Sequence, residues 1–482
     1  MKLSDRFIVL SYLISSTSSI IWLAFVLLLG FTAQIRASAD SFNALSGTHG
    51  GRNNSTDPVI SEEKADLTLR DAVNLALLRN PELAAFAKEM RALEGATLQA
   101  GLLKNPELSA SVKNIGNVQK LRDEVNAPES IAQEVTQQVT TIQIGQLIEL
   151  GGKRAARVSA AQLGEELAAM DYESRRIEII VSVANLFTDV LAGQERFKLA
   201  EETRQLAQNV VDTVVYRVQS GKVPPIEETR AKVSLSTAHI EYEQAQRDLI
   251  SARKRLALMW DSDAPQFDKA LGVLEVSIVP PDFQMLQERV LDNPMALRTM
   301  KSIEHRKALL EVEQTRRIPN LTVNAGVVNY AVLGGNTAIA SVTIPLPLFD
   351  RNQGNLKEAH QRVSKAEDEQ SVMELRLKTE LAQSYEAMTA VWNEINILRD
   401  EVLPGAKSAF SVMRKGYELG KFGLLELTDA QRVLFQNQLL YVRALANYQR
   451  LINDIERLIA APIESVKLKH ETNLRQLERK RK

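Results

Sequence analysis

The chain has 482 residues, of which 25% are charged and 5% aromatic, with a formal net charge of −1 and no cysteine. That balance supplies no concentrated basic face of the kind that releases counterions from nucleic acid, so nucleic acid is excluded as a partner. The missing cysteine removes disulfides, thiolate metal sites, a Cys nucleophile and the residue that a bacterial lipoprotein acylates.

In chain order, Lys2 and Arg6 precede a Ser-rich stretch, an apolar run over residues 20–31 and then Ala37-Ser38-Ala39. This is a signal-peptide pattern, so residues 1–39 are expected to be removed after Ala39; retention as an inner-membrane anchor is the alternative. Residues 40–66 are rich in Ser, Asn and Gly without apolar periodicity and read as a flexible leader. No later stretch reads as a membrane-spanning helix, so any bilayer crossing must use strands.

From there the chain repeats itself. Asn80-Pro81 and Pro106 match Asn293-Pro294 and Pro319. Gly221-Lys222, Ala231, Leu235, Tyr242 and Ala245 match Gly420-Lys421, Ala430, Leu434, Tyr441 and Ala444. Two internal repeats follow, residues 67–266 and 267–461, before a basic tail over residues 462–482. The first repeat is the longer, and its extra residues are expected in a hairpin loop over residues 116–128.

Each repeat reads as helix, two strands and a long helical hairpin. Thr68 with Asp71 marks a helix start, and both Asn-Pro pairs restart a helix with an N-cap and a first-turn proline. After Pro106, Leu108, Ala110 and Val112 alternate with Ser109, Ser111 and Lys113; after Pro319, Leu321, Val323, Ala325 and Val327 alternate with Thr322, Asn324 and Gly326. The return strands are placed at residues 141–150 and 340–349, with Gly151-Gly152 turning the first into a helix. Four strands of about 9 to 11 residues suit a tilted transmembrane sheet, although a soluble half-buried hairpin shows the same alternation.

Helices over residues 153–218 and 351–417 follow, each close to 100 Å long at about 1.5 Å per residue. Ile177, Ile180, Ala184, Phe187 and Leu191 form a narrow coiled-coil seam, as do Leu381, Tyr385, Met388, Trp392 and Ile395. The descending helices carry Ala231, Leu235, Ala238, Tyr242, Ala245, Leu249, Ala252 and Leu256 in one, and Ala430, Leu434, Asn437, Tyr441, Ala444, Tyr448, Leu451 and Ile455 in the other. Such stripes are packing surfaces and by themselves say only "hairpin".

Over residues 67–461 this arrangement resembles the TolC-like outer-membrane efflux proteins. The runs Leu147-Ile148-Glu149-Leu150-Gly151-Gly152-Lys153-Arg154 and Pro345-Leu346-Pro347-Leu348-Phe349-Asp350-Arg351 make it most like the outer-membrane components of heavy-metal (cobalt-zinc-cadmium type) resistance-nodulation-division systems. The resemblance implies a mainly α fold with a β-barrel part, in which a homotrimer forms a 12-stranded transmembrane β-barrel continued by a periplasmic α-helical barrel. It also implies a passive outer-membrane exit duct for divalent heavy-metal cations, touching outer-membrane lipid and working with a periplasmic adaptor and an inner-membrane pump. By position, Glu227, Glu426 and Asp429 match the family's periplasmic aperture acids. Gly221, Lys222 and Val223, with Gly420, Lys421 and Phe422, match its adaptor-docking tips. Phe422 stands where a basic gate residue can occur, which removes a closing salt bridge there. Apart from the resemblance, acids at helix starts simply complement the helix dipole.

Nothing points to an enzyme or a cofactor. There is no HExxH, the five histidines His49, His239, His305, His360 and His470 are isolated, and Gly151-Gly152-Lys153-Arg154 lacks the spacing and hydroxyl of a phosphate loop. The competing reading is a periplasmic adaptor or structural coiled-coil protein anchored at the inner membrane. Two equivalent helical hairpins, each preceded by paired strands, favour the duct.

Overall fold

A computed structural model of the chain describes residues 66–115, 138–276, 278–331 and 334–463. The signal peptide, the leader, the 116–128 loop and most of the basic tail lie outside these described residues.

The first helices form where polar side chains satisfy their free N–H groups. Thr68 and Asp71 exchange backbone hydrogen bonds as a capping box at the start of α1, Leu69–Arg79. Asn80 then caps α2, Pro81–Gly101, accepting from the Glu82 and Leu83 N–H groups while its amide donates to the Met259 carbonyl at 2.9 Å. The second half makes the same joint. A short α5, Phe283–Arg289, precedes Asn293, which caps α6, Pro294–Arg316, and donates to the Arg457 and Leu458 carbonyls, each at 2.9 Å. Both asparagines are buried, so each fastens a helix start to the end of a distant descending helix.

Short strands β1, Leu67–Thr68, and β4, Ala270–Leu271, pair in parallel. The main sheet is antiparallel in the order β2-β3-β5-β6, with β2 at Glu107–Lys113, β3 at Val139–Ile148, β5 at Leu321–Tyr330 and β6 at Gly335–Thr343. Three strands differ from the sequence reading, with β3 running two residues ahead of the expected 141–150 and β6 starting five residues ahead of 340. β2 has only 7 residues. The last strand ends at Thr343 instead of continuing to Phe349, because Pro345 and Pro347 have no N–H to offer a ladder. The register aligns the apolar positions of all four strands in one set of rows: Leu108, Ile144, Ala325 and Ala340 in one row, Ala110, Ile142, Val327 and Ala338 in the next. Because side chains alternate, these rows share one face, and Ser109, Gln143, Gly326 and Ile339 share the other. The first face is exposed in the protomer, with Leu108 at 73%.

Gly151 and Gly152, both left-handed, lead into α3, Lys153–Gln219, which returns through α4, Ile226–Ala257. The second long helix is interrupted. α7, Gln353–Ile397, passes through a π turn at Leu398–Val402 into α8, Leu403–Glu418, and α9, Leu424–Ile459, returns. Pro404 accounts for the interruption, since it has no N–H for the Asp400 carbonyl and its ring crowds that oxygen.

The expected seams hold in the second repeat: Leu381, Met388 and Ile395 are fully buried in the main core beside Tyr448 and Ile455. In α3 the buried stripe is Ile179, Val183, Phe187 and Val190. Of the expected seam Phe187 and Leu191 are buried, whereas Ile177, Ile180 and Ala184 are half-buried one or two positions from that stripe. A second correction concerns membrane-length helices. α3 contains a stretch apolar enough to cross a bilayer, with mean hydropathy 1.3, and 44% of that stretch is buried inside the protein. It is a core helix packed against α2, α4, α6 and α9.

Candidate functional site

The two hairpin tips pack against each other through one apolar cluster. Val211 and Val214 of α3, Ala231 of α4, Tyr417 of α8 and Leu424 and Leu427 of α9 are all buried there. Each tip closes by the same main-chain device. Lys222 N–H donates to the Arg217 carbonyl and Gly221 N–H to the Val218 carbonyl, both at 2.9 Å. Lys421 N–H reaches the Gly416 carbonyl at 2.8 Å, and Gly420 N–H reaches that of Tyr417 at 2.9 Å. This Schellman arrangement requires a left-handed residue after the helix, and Gly221 and Gly420 have φ of +69° and +74°.

Past the glycines, Lys222 and Lys421 are exposed and Val223 is half-buried. The Phe422 ring lies over Gly416 so closely that a β-carbon there would overlap it. No cation follows Gly420-Lys421 in sequence, but one arrives from the other hairpin. Arg217 Nη1 donates to the Tyr417 carbonyl at 2.7 Å, and its guanidinium lies 4.6 Å above the Tyr417 ring.

The three acids have three different surroundings. Glu227, in the first turn of α4, is half-buried, and its Oε2 is enclosed without a hydrogen-bond partner. The Tyr417 hydroxyl is likewise buried without one. Burial pushes the Tyr417 hydroxyl above the ordinary phenol range, Arg217 opposes this and the Glu227 charge adds to it. Glu426, in the first turn of α9, is exposed and folds back over Gly423. Asp429 is exposed and ion-paired to Arg432 one turn along. The structure therefore does not leave Glu426 and Asp429 as equivalent bare carboxylates. Asp429 and Arg432 line a groove between α4 and α9 together with Arg230 and Glu241, whose carboxyl is raised by burial. Among the described residues, no three His, Asp or Glu side chains are grouped to hold a metal ion.

A model of the family described as outer membrane efflux protein matches residues 72–261 and 288–461. The chain belongs to that family. It is 35% identical over 403 residues to the cobalt-zinc-cadmium resistance protein CzcC of Cupriavidus metallidurans, covering 83% of this chain and 92% of that one. It is 29% identical over 248 residues to the nickel-cobalt-cadmium resistance protein NccC of Alcaligenes xylosoxydans xylosoxydans, covering 51% and 55%. The fold is that of the Campylobacter jejuni CmeC outer membrane channel, with a TM-score of 0.67 at 16% identity over 84% of this chain and 88% of the other. As an outer membrane efflux protein the chain is a conduit of the outer membrane.

Two residues at the tips escaped the sequence reading. Arg217 sits four positions before Gly221, within a helix that carries many other arginines, and nothing local marks it as the partner of a residue 200 positions away. Tyr417 was hidden for the opposite reason: it reads as one more apolar seam residue, and its burial with an unpaired hydroxyl shows only in three dimensions.

Proposed function

We propose that this protein is the passive exit duct of a tripartite efflux system whose cargo is divalent heavy-metal cations, delivered by a periplasmic adaptor and an inner-membrane resistance-nodulation-division pump. The observation that carries the cargo is the similarity to CzcC along 92% of that protein. Assembly follows from the sheet. Among the described residues β2 and β6 are its unpaired edges, and they run in opposite directions, so the edge of one copy pairs antiparallel with that of the next. Three copies of four strands close a 12-stranded barrel, which removes the edges and turns the exposed apolar rows toward lipid. The two repeats then supply equivalent helical hairpins to the periplasmic tunnel, with the tips as the adaptor-docking surface and Glu227, Glu426 and Asp429 at the aperture.

The inner-membrane adaptor reading is set aside by the family. The test is made in a strain that lacks its own outer component but retains pump and adaptor. The protein should fractionate with the outer membrane as a heat-sensitive trimer and restore growth on cobalt, zinc or cadmium. Trimers in the outer membrane without restored growth on any of the three ions would reject the cargo and keep the duct.

A further inference from the structure

The end of the sheet carries an apolar and basic surface that the duct reading leaves unused. Beyond Thr343 the chain continues through Pro345 and Pro347 with Leu346 at 75%, Leu348 at 64% and Phe349 at 92% exposure. Ile344, 49% exposed, follows directly on the end of the strand that carries the exposed Val342 of the sheet's apolar face. Leu348 and Phe349 border a groove between the end of α6 and the start of α7, together with Arg317, Arg351, Leu356 and Lys357. Arg351 reaches only the Leu348 carbonyl at 3.4 Å, and Arg317 and Lys357 make no ion pair among the described residues. The neighbouring acids are engaged: Asp350 accepts from the Asn352 N–H, and Glu313 is held by Arg316 and the Asn352 amide.

We propose that this groove is a phospholipid site, with the phosphate held by Arg317, Arg351 and Lys357 and the acyl chains lying along Phe349, Leu348 and Leu346. The proposal rests on the reading of the sheet as membrane-crossing, which places its helical end at the periplasmic leaflet. An aromatic ring beside guanidinium and ammonium groups is the composition of a membrane–water boundary. Guanidinium forks suit phosphate oxygens, and a phospholipid satisfies both halves of the groove at once.

The test uses the native oligomer extracted from membranes, stripped of lipid in detergent and titrated with phosphatidylglycerol, the matching diacylglycerol or glycerol 1-phosphate. Retained molecules are counted by native mass spectrometry. The parent should retain phosphatidylglycerol and neither of the others. R317Q/R351Q/K357Q should weaken retention about tenfold or more, as expected for losing three cations near a headgroup. Phe349→Ser, which leaves the cations in place, should weaken it too. Equal retention by parent and both variants overturns the proposal. So does glycerol 1-phosphate competing as well as the lipid, which marks a plain anion site. Protection of F349C from alkylation in the lipid-free oligomer also overturns it, because a neighbouring copy then covers the ring. Parent protein absent from the outer membrane would defeat the duct reading first, whereas variants that reach the outer membrane as trimers yet retain lipid normally defeat only this inference.

Discussion

At the scale of single residues, the tips are governed by backbone conformation more than by contact. A β-carbon at Gly221 would meet nothing within 4 Å, and at Gly420 only the Arg217 Nη2 at 3.6 Å. The cost of substitution is therefore the left-handed backbone itself, roughly 1–2 kcal/mol for a residue with a β-carbon. G221V/G420V should abolish adaptor cross-linking and efflux while leaving trimers in the membrane, and unchanged metal resistance would show that the tips are not the contact. Gly416→Ala acts differently, since its methyl group displaces the Phe422 ring from the turn it covers. Cross-linking through a cysteine at Phe422 should change partner or yield in that variant, with the trimer intact. For the acids, the expectation is a cation-selective pore with block by divalent ions, arising from carboxylates repeated around a threefold axis. E426Q/D429N should shift the reversal potential across a salt gradient in planar bilayers toward zero. Because Asp429 is ion-paired to Arg432, Glu426→Gln alone should give the larger part of that shift; an unchanged preference in both would reduce these acids to partners of the helix dipole.

At the scale of elements, the Asn-Pro joints carry more than a cap. Asn80 and Asn293 each accept from the first turn of their own helix and donate to the end of a descending helix. Alanine at either position loses the cap and the amide's bond to the descending helix, for an expected loss of roughly 2–3 kcal/mol per site, read as lower thermal stability of the protein. These joints were legible in the sequence because Asn-Pro is chemically specific, and so were the tip glycines and the alternation of the strands. The stripe of α3 was legible only in its second half, at Phe187 and Leu191. That helix touches α2, α4, α6 and α9, so apolar residues surround it and the chosen heptad had no advantage over the one beside it. α9 likewise packs against both α3 and α7, and carries Leu427, Gln431, Phe435 and Val442 as buried positions outside the expected seam. The strand that stopped at Thr343 was misplaced because alternation was followed through Pro345 and Pro347, whose missing donors outweigh pattern. The individual surroundings of the three acids depend on Arg432 and Tyr417, contacts that no spacing rule reports.

At the scale of the whole molecule, the proposed trimer would pair the open β2 and β6 edges and cover Val233 and Ile240 of α4, which are 62% and 56% exposed in the protomer. An isolated copy in dilute detergent should therefore aggregate or unfold, and stability measured by calorimetry should rise with protein concentration. Export is expected to remove residues 1–39, and a native N-terminus at Met1 found by mass spectrometry would show that the segment is retained. The two open edges, β2 and β6, have a genetic consequence. A ring of three closes only when every junction forms, so one copy with a blocked edge spoils the two sound copies joined to it. If half of the copies in a cell carried such a lesion and mixed at random, only about one ring in eight would be whole. Missense alleles that insert proline into β6 should thus be dominant over the wild type, whereas a deletion of the gene should be recessive.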